Sequence, residues 1–153
     1  VIYNTAKADP QCQGMGTTIV VGLFHNNVLS IAHVGDSRLY RIRNNELQQI
    51  TKDHSLIQEL IDRGLYTSEE AHANTPKNLV TRAMGIEADV DVDVVEEVVL
   101  PDDIYLLCSD GLTDLVANKR GGKDNTSIIL VRIREEYSSP KDFLTKIKNR
   151  FIK

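Results

Sequence analysis

The chain has 153 residues, enough for one domain with a substantial core, and its 41% hydrophobic and 26% charged residues are ordinary for a soluble globular protein. Its formal net charge of -4 argues against a nucleic-acid partner, because phosphate backbones are bound by clustered Lys and Arg on basic domains. Charge is uneven: residues 141–153 hold five basic residues against Asp142, so this stretch carries +4 and the rest of the chain -8. Two cysteines, Cys12 and Cys108, make neither a disulfide framework nor a metal knuckle, and a reducing cytoplasm is the simplest setting. No apolar run approaches the roughly 20 residues that span a bilayer, and no signal-peptide pattern opens the chain. It begins at Val1 rather than Met, which reads as a processed or truncated product.

From Thr17 to Phe24 the residues are β-branched and apolar, and Val28 to Val34 follows across His25-Asn26-Asn27. Asn tolerates the left-handed backbone of tight hairpin turns, so a hairpin is predicted. Asn44-Asn45 repeats the device between Arg38–Ile42 and Glu46–Ile50, giving four consecutive antiparallel strands. The period then changes. Leu56, Ile57, Leu60 and Ile61 recur at helical spacing, Ser55 with Gln58 forms a capping signature, and Gly64 supplies the terminating residue. Thr67 with Glu70 caps a second, short helix. Three strands follow, around Val90–Val94, Ile104–Cys108 and Thr126–Ile133. Strands dominate and helices come in blocks, the α+β pattern.

Three carboxylates stand where an apolar strand meets a Gly-bearing turn: Asp36 in Val34-Gly35-Asp36-Ser37-Arg38, Asp110 in Ser109-Asp110-Gly111, and Asp124 in Gly121-Gly122-Lys123-Asp124-Asn125. Such a carboxylate is held by a rigid sheet yet reaches solvent, as a hard cation with oxygen ligands requires. Singly, each reads as a turn residue bonding its own backbone. Asp89, Asp91 and Asp93 alternate like the start of a calcium loop, but Val94 replaces the Gly and Leu100 the Glu of that motif. They read instead as the solvent face of a strand whose other face is Val90, Val92 and Val94. His33, His54 and His72 have no partner at metal-ligand spacing and read as structural hydrogen-bonders.

In this order, Gly16-Thr17-Thr18, Val34-Gly35-Asp36-Ser37-Arg38, Ser109-Asp110-Gly111-Leu112 and Gly121-Gly122-x-Asp124-Asn125 resemble the metal-dependent serine/threonine protein phosphatases of the 2C family in their compact bacterial form. Thr51-x-Asp53-His54-Ser55 and Asn78-x-x-Thr81-Arg82-x-x-Gly85 are similar to that family too, and the resemblance covers about residues 14 to 133. It implies an antiparallel β-sandwich flanked by helices, a four-layer α-β-β-α arrangement with metals at one end. It implies hydrolysis of phosphoserine and phosphothreonine in proteins, with two or three Mg²⁺ or Mn²⁺ ions activating water, and a cognate serine/threonine kinase as counterpart. Asp110 and Asp124 would hold one ion, with Asn125 in support and Gly121 and Gly122 letting the turn aim Asp124. Asp36 would share an additional, weaker ion with Asp110. The insert from Asp53 to about Gly85 corresponds to a flap that selects substrate. No side chain is assigned a catalytic role beyond these ligands, no organic cofactor site is assigned, and a monomer is expected.

The family's phosphate-binding Arg, its first acidic motif and its Asp-Gly-x-Gly-Gly turn do not occur in this chain, and the stretch between Asp110 and Asp124 is short. These departures are expected to reflect missing sequence, so that residues 1–133 form an incomplete catalytic domain lacking its first strands. The alternative is a catalytically silent module that keeps the fold and binds a phosphoprotein or partner. Residues 134–153 form a basic tail in which Phe143, Leu144, Ile147 and Phe151 recur at helical spacing, and its apolar stripe is expected to pack on the phosphatase body.

Overall fold

A computed structural model describes residues 1–76, 78–112 and 125–136. Its elements in chain order are α1 (Ile2–Ala8), a 3₁₀ turn (Pro10–Cys12), β1 (Ile19–His25), β2 (Val28–Val34), β3 (Arg38–Arg43), β4 (Glu46–Gln49), α2 (Leu56–Asp62), α3 (Ser68–Asn74), β5 (Asp93–Val98), β6 (Ile104–Cys108) and β7 (Ile128–Arg132). Both Asn-Asn turns are two-residue hairpins with positive φ at each central residue, 48° and 59° at Asn26 and Asn27, 52° and 64° at Asn44 and Asn45. Such turns match the right-handed twist of the strands they join.

The four strands do not form one continuous meander. The first hairpin joins β5 in a three-stranded sheet of order β1-β2-β5, and the second enters a four-stranded sheet of order β4-β3-β6-β7. Every pairing is antiparallel. The sheets face each other across a core of Leu29, Ile31, Leu39, Val99 and Tyr105, with Val20, Ile50, Leu107, Val131 and Ile133 packed against it. Arg41 of β3 bridges to Glu97 of β5, and Arg43 of β3 donates from Nε and Nη2 to Asp103 at 2.8 and 2.7 Å. The Arg41–Glu97 pair thus joins the two sheets by charge as well as by apolar burial.

Ser55 caps α2 by accepting from the Gln58 N–H, and α3 carries the full reciprocal capping box of Thr67 and Glu70. The strand expected at Val90–Val94 begins only at Asp93, and its faces are the reverse of the expectation. Register sets them: Asp93 pairs with buried His33 on the core side, whereas Val94 pairs with Ala32 on the outer side and is 66% exposed. The basic tail beyond residue 136 lies outside the described residues.

Candidate metal centre

Between Val34, the end of β2, and Arg38, the start of β3, three residues carry the chain from one sheet to the other. Gly35 takes φ +104°, and a Cβ there would fall 2.2 Å from Thr18 Cγ2. Only glycine allows that backbone and that approach together. The contact seats Thr18 of the Gly16-Thr17-Thr18 string against the turn, where its hydroxyl shares a 2.9 Å hydrogen bond with Ser37 Oγ.

Residues 51–54 form a mould around this turn. Thr51 Oγ1 accepts the Leu39 N–H at 2.9 Å, and the Lys52 carbonyl accepts from His33 Nε2 at 2.9 Å. Asp53 accepts from Arg38 Nε at 2.9 Å and Nη2 at 2.6 Å, a fork of the kind that fixes orientation as well as distance. His54 accepts the Gly35 N–H on Nδ1 at 3.0 Å and donates its own N–H to the Gly35 carbonyl at 3.0 Å. Each of four consecutive residues therefore holds one part of the segment that presents Asp36.

The second carboxylate follows from strand register. Arg38 pairs with Cys108 in the antiparallel β3–β6 ladder, so Asp36, two residues before Arg38, and Asp110, two after Cys108, emerge at the same end of the sandwich. Their proximity has an electrostatic signature: the Asp36 carboxyl is pushed above its ordinary value, first by burial and then by the Asp110 carboxylate. Two close carboxylates resist joint ionisation unless a cation sits between them. An all-oxygen donor pair suits a hard divalent ion such as Mg²⁺ or Mn²⁺.

The turn after β6 is tied to the approach to β7. Ser109 Oγ donates to the Asn125 carbonyl at 3.3 Å and accepts the Ser127 N–H at 3.1 Å. A Cβ on Gly111 would lie 2.6 Å from that same Asn125 oxygen, which explains glycine there. Asp124, Gly121 and Gly122 lie outside the described residues. The structure thus brings Asp36 and Asp110 together, with the backbone of Asn125 against the Asp110 turn.

His33, His54 and Asp93 also cluster, with one donor atom from each within 4.8 Å of the others. Their geometry does not suit an ion. The imidazoles stack with centroids 4.6 Å apart and an interplanar angle of 25°, so their lone pairs lie in near-parallel planes and do not converge. His54 Nδ1 is taken by Gly35, and Arg82 Nη1 stands 3.1 Å from His54 Nε2 while donating to Asp93 Oδ1 at 2.6 Å. A guanidinium fills the place a cation would need. Burial holds the His54 imidazole below its ordinary value, against the pull of Asp93 and aided by Arg82 and His33. His72 is likewise structural, its Nδ1 lying 2.7 Å from the Ser68 carbonyl.

Asp93 is the residue that the alternating pattern placed wrongly, and the Arg82–Asp93–His54 network was not foreseen. The available signal was the Thr81-Arg82 string, since Thr81 N–H donates to the His54 carbonyl at 2.8 Å. Thr81 and Arg82, with Ile86, Glu87, Asp89 and Val90, also line a cleft of about 370 Å³.

The protein phosphatase 2C family model matches residues 1–59. The structure superposes on the serine/threonine phosphatase PstP of Mycobacterium tuberculosis with a TM-score of 0.80 at 34% identity, covering 88% of this chain and 67% of that one. The chain belongs to the protein phosphatase 2C family. A PstP catalytic domain in complex with two manganese ions aligns with a TM-score of 0.75 at 34% identity, over 88% of this chain and 66% of that one. The serine/threonine phosphatase stp of Listeria welshimeri is 37% identical over 156 residues, covering 86% of this chain. This chain spans 61% of the length of that curated relative. Among the described residues, no helix is long and apolar enough to cross a membrane.

Proposed function

We propose that the protein carrying this chain hydrolyses phosphoserine and phosphothreonine in proteins, with Mg²⁺ or Mn²⁺ held at the end of the sandwich where Asp36 and Asp110 emerge. The observation that carries this reading is the register that brings those two carboxylates out at one end of the sandwich, where burial first and the Asp110 carboxylate second push Asp36 upward. Asp110 and Asp124 hold one ion, and the backbone oxygen of Asn125, the residue after Asp124, lies against Gly111 in the Asp110 turn. Asp36 shares a further, weaker ion with Asp110. When bound, such ions lower the pKa of the attacking water and neutralise the phosphoryl oxygens. The chain's own contribution is to fix two carboxyl groups at one place before the ion arrives, so that little reorganisation is needed on binding.

Residues 1–133 belong to the catalytic domain, with the flap at about 53–85 and the basic tail at 134–153. The partners are phosphoproteins and the serine/threonine kinase whose action is reversed, in the cytoplasm, with the protein acting as a monomer. No observation favours a catalytically silent module. Asp110→Asn or Asp124→Asn should each abolish Mn²⁺-dependent hydrolysis of a phosphothreonine peptide. Turnover within a few-fold of the parent would remove that residue from the ligand set.

A further inference from the structure

The direction in which Asp36 points is fixed by the two peptide planes flanking Gly35, and His54 bonds to both. Its N–H donates to the Gly35 carbonyl, in the plane that also carries the Asp36 nitrogen, and its Nδ1 accepts the Gly35 N–H, each at 3.0 Å. The first bond belongs to the backbone and survives any substitution at position 54. The second depends on the imidazole. Gly35 cannot fix this geometry itself, because φ +104° lies in a region where glycine has unusual freedom.

Nδ1 accepts only while it carries no proton. The proton of the neutral ring then sits on Nε2, which faces Asp93 Oδ2 at 3.3 Å, while Arg82 Nη1, 3.1 Å from the same nitrogen, directs its two hydrogens to Asp93 Oδ1 and the Asp91 carbonyl. Asp93 is in turn held by Arg82 Nη1 at 2.6 Å. On the opposite side the His33 ring stacks on His54 and is itself pinned through Nε2 to the Lys52 carbonyl. The imidazole is thus set in place, in plane and in tautomer by three neighbours.

We propose that His54 is a positioning residue for Asp36: its Nδ1 lone pair, oriented by Asp93, fixes the Gly35 turn and thereby sets the affinity of the metal position that Asp36 shares with Asp110. This rests on the reading of Asp36 as a ligand given above. The consequence is a division of labour between the two sides of the imidazole, and two near-isosteric amides separate them. In His54→Asn the side-chain oxygen reaches the former Nδ1 position and keeps an acceptor for Gly35. In His54→Gln the amide reaches the Nε2 position and leaves the buried Gly35 N–H without one.

The test is a Mn²⁺ titration of the full-length protein, with free Mn²⁺ counted by electron paramagnetic resonance, on the parent and the variants His54→Asn, His54→Gln, Asp93→Asn and Asp36→Ala. In His54→Gln the weak binding phase should shift to about tenfold higher Mn²⁺, the size expected for one buried donor left unpaired. His54→Asn should leave the weak phase where it lies in the parent, and the tight phase should be unchanged in both. In Asp93→Asn the one remaining oxygen stays with Arg82 and an NH2 donor faces Nε2 in place of the acceptor that selects the tautomer, and a smaller shift of the weak phase, about threefold, is expected. Equal shifts in the two His54 variants, or an unmoved weak phase in His54→Gln or Asp93→Asn while Asp36→Ala abolishes it, would overturn the role of His54. A weak phase that persists in Asp36→Ala would instead overturn the reading of Asp36, and the positioning role would fall with it.

Discussion

Gly35 and Asp103 are the residues at which single substitutions should be most costly. A Cβ on Gly35 meets Thr18 at 2.2 Å on a backbone at φ +104°, so Gly35→Ala combines steric overlap with conformational strain. A loss of about 3 kcal/mol is expected in urea unfolding, and a loss below about 1 kcal/mol would show that the turn relaxes freely. Asp103, 2% exposed, accepts from Arg43, from the Leu100 N–H at 2.8 Å and from Tyr105 Oη at 3.3 Å. The Arg43 hydrogen bond, foremost, holds its carboxyl below the ordinary 3.8. The ionised form therefore favours the folded state: its contribution is complete above 3.8 and disappears as pH falls through the lower folded value. Asp103→Asn should cost about 3 kcal/mol at neutral pH and flatten the acid limb of a stability-against-pH curve below about pH 4. An acid limb identical in parent and variant would assign that limb to other carboxylates.

At the scale of elements, the segment 51–54 acts on β3 as a clamp built from side chains rather than as a strand. Thr51→Val keeps the shape and removes the acceptor of the buried Leu39 N–H, so a loss of about 1–3 kcal/mol is expected by denaturant unfolding. A neutral result would place water or another acceptor at that amide. Much of this organisation was legible in the sequence. Asn-Asn pairs announce the two hairpins because few other residues accept two successive positive φ values, and Ser55 and Thr67 announce the helix starts because their hydroxyls replace missing backbone acceptors. The faces of β5 were not legible. A Val-Asp alternation says which residues share a face but not which face is the core, and pairing with β2 placed Asp93 inward beside His33. For the same reason the candidate site was half readable. Asp36 and Asp110 stand in recognisable strings, whereas the contacts of His54 with Gly35, Asp93 and Arg82 join residues up to 39 positions apart and follow only from the folded register.

The molecule as a whole presents an apolar surface that the sandwich does not cover. On the outer side of the three-stranded sheet Leu23, Val94 and Val98 are 65%, 66% and 63% exposed, beside Val21 and Ile19. Exposed apolar side chains grouped on one sheet face promote association unless they are covered. Residues 1–153 expressed alone should bind a hydrophobic dye and sediment in part as oligomers. Dye binding no higher than that of a well-packed monomer of this size would show that the patch is covered. A metal-dependent phosphatase centre at the end of the sandwich where Asp36 and Asp110 emerge is checked by phosphate release from a phosphothreonine peptide by the full-length protein before and after chelation. Release that is abolished by chelator and restored by Mn²⁺ or Mg²⁺ is the predicted result; a folded protein that releases no phosphate at any metal concentration, or releases it undiminished after chelation, would contradict it.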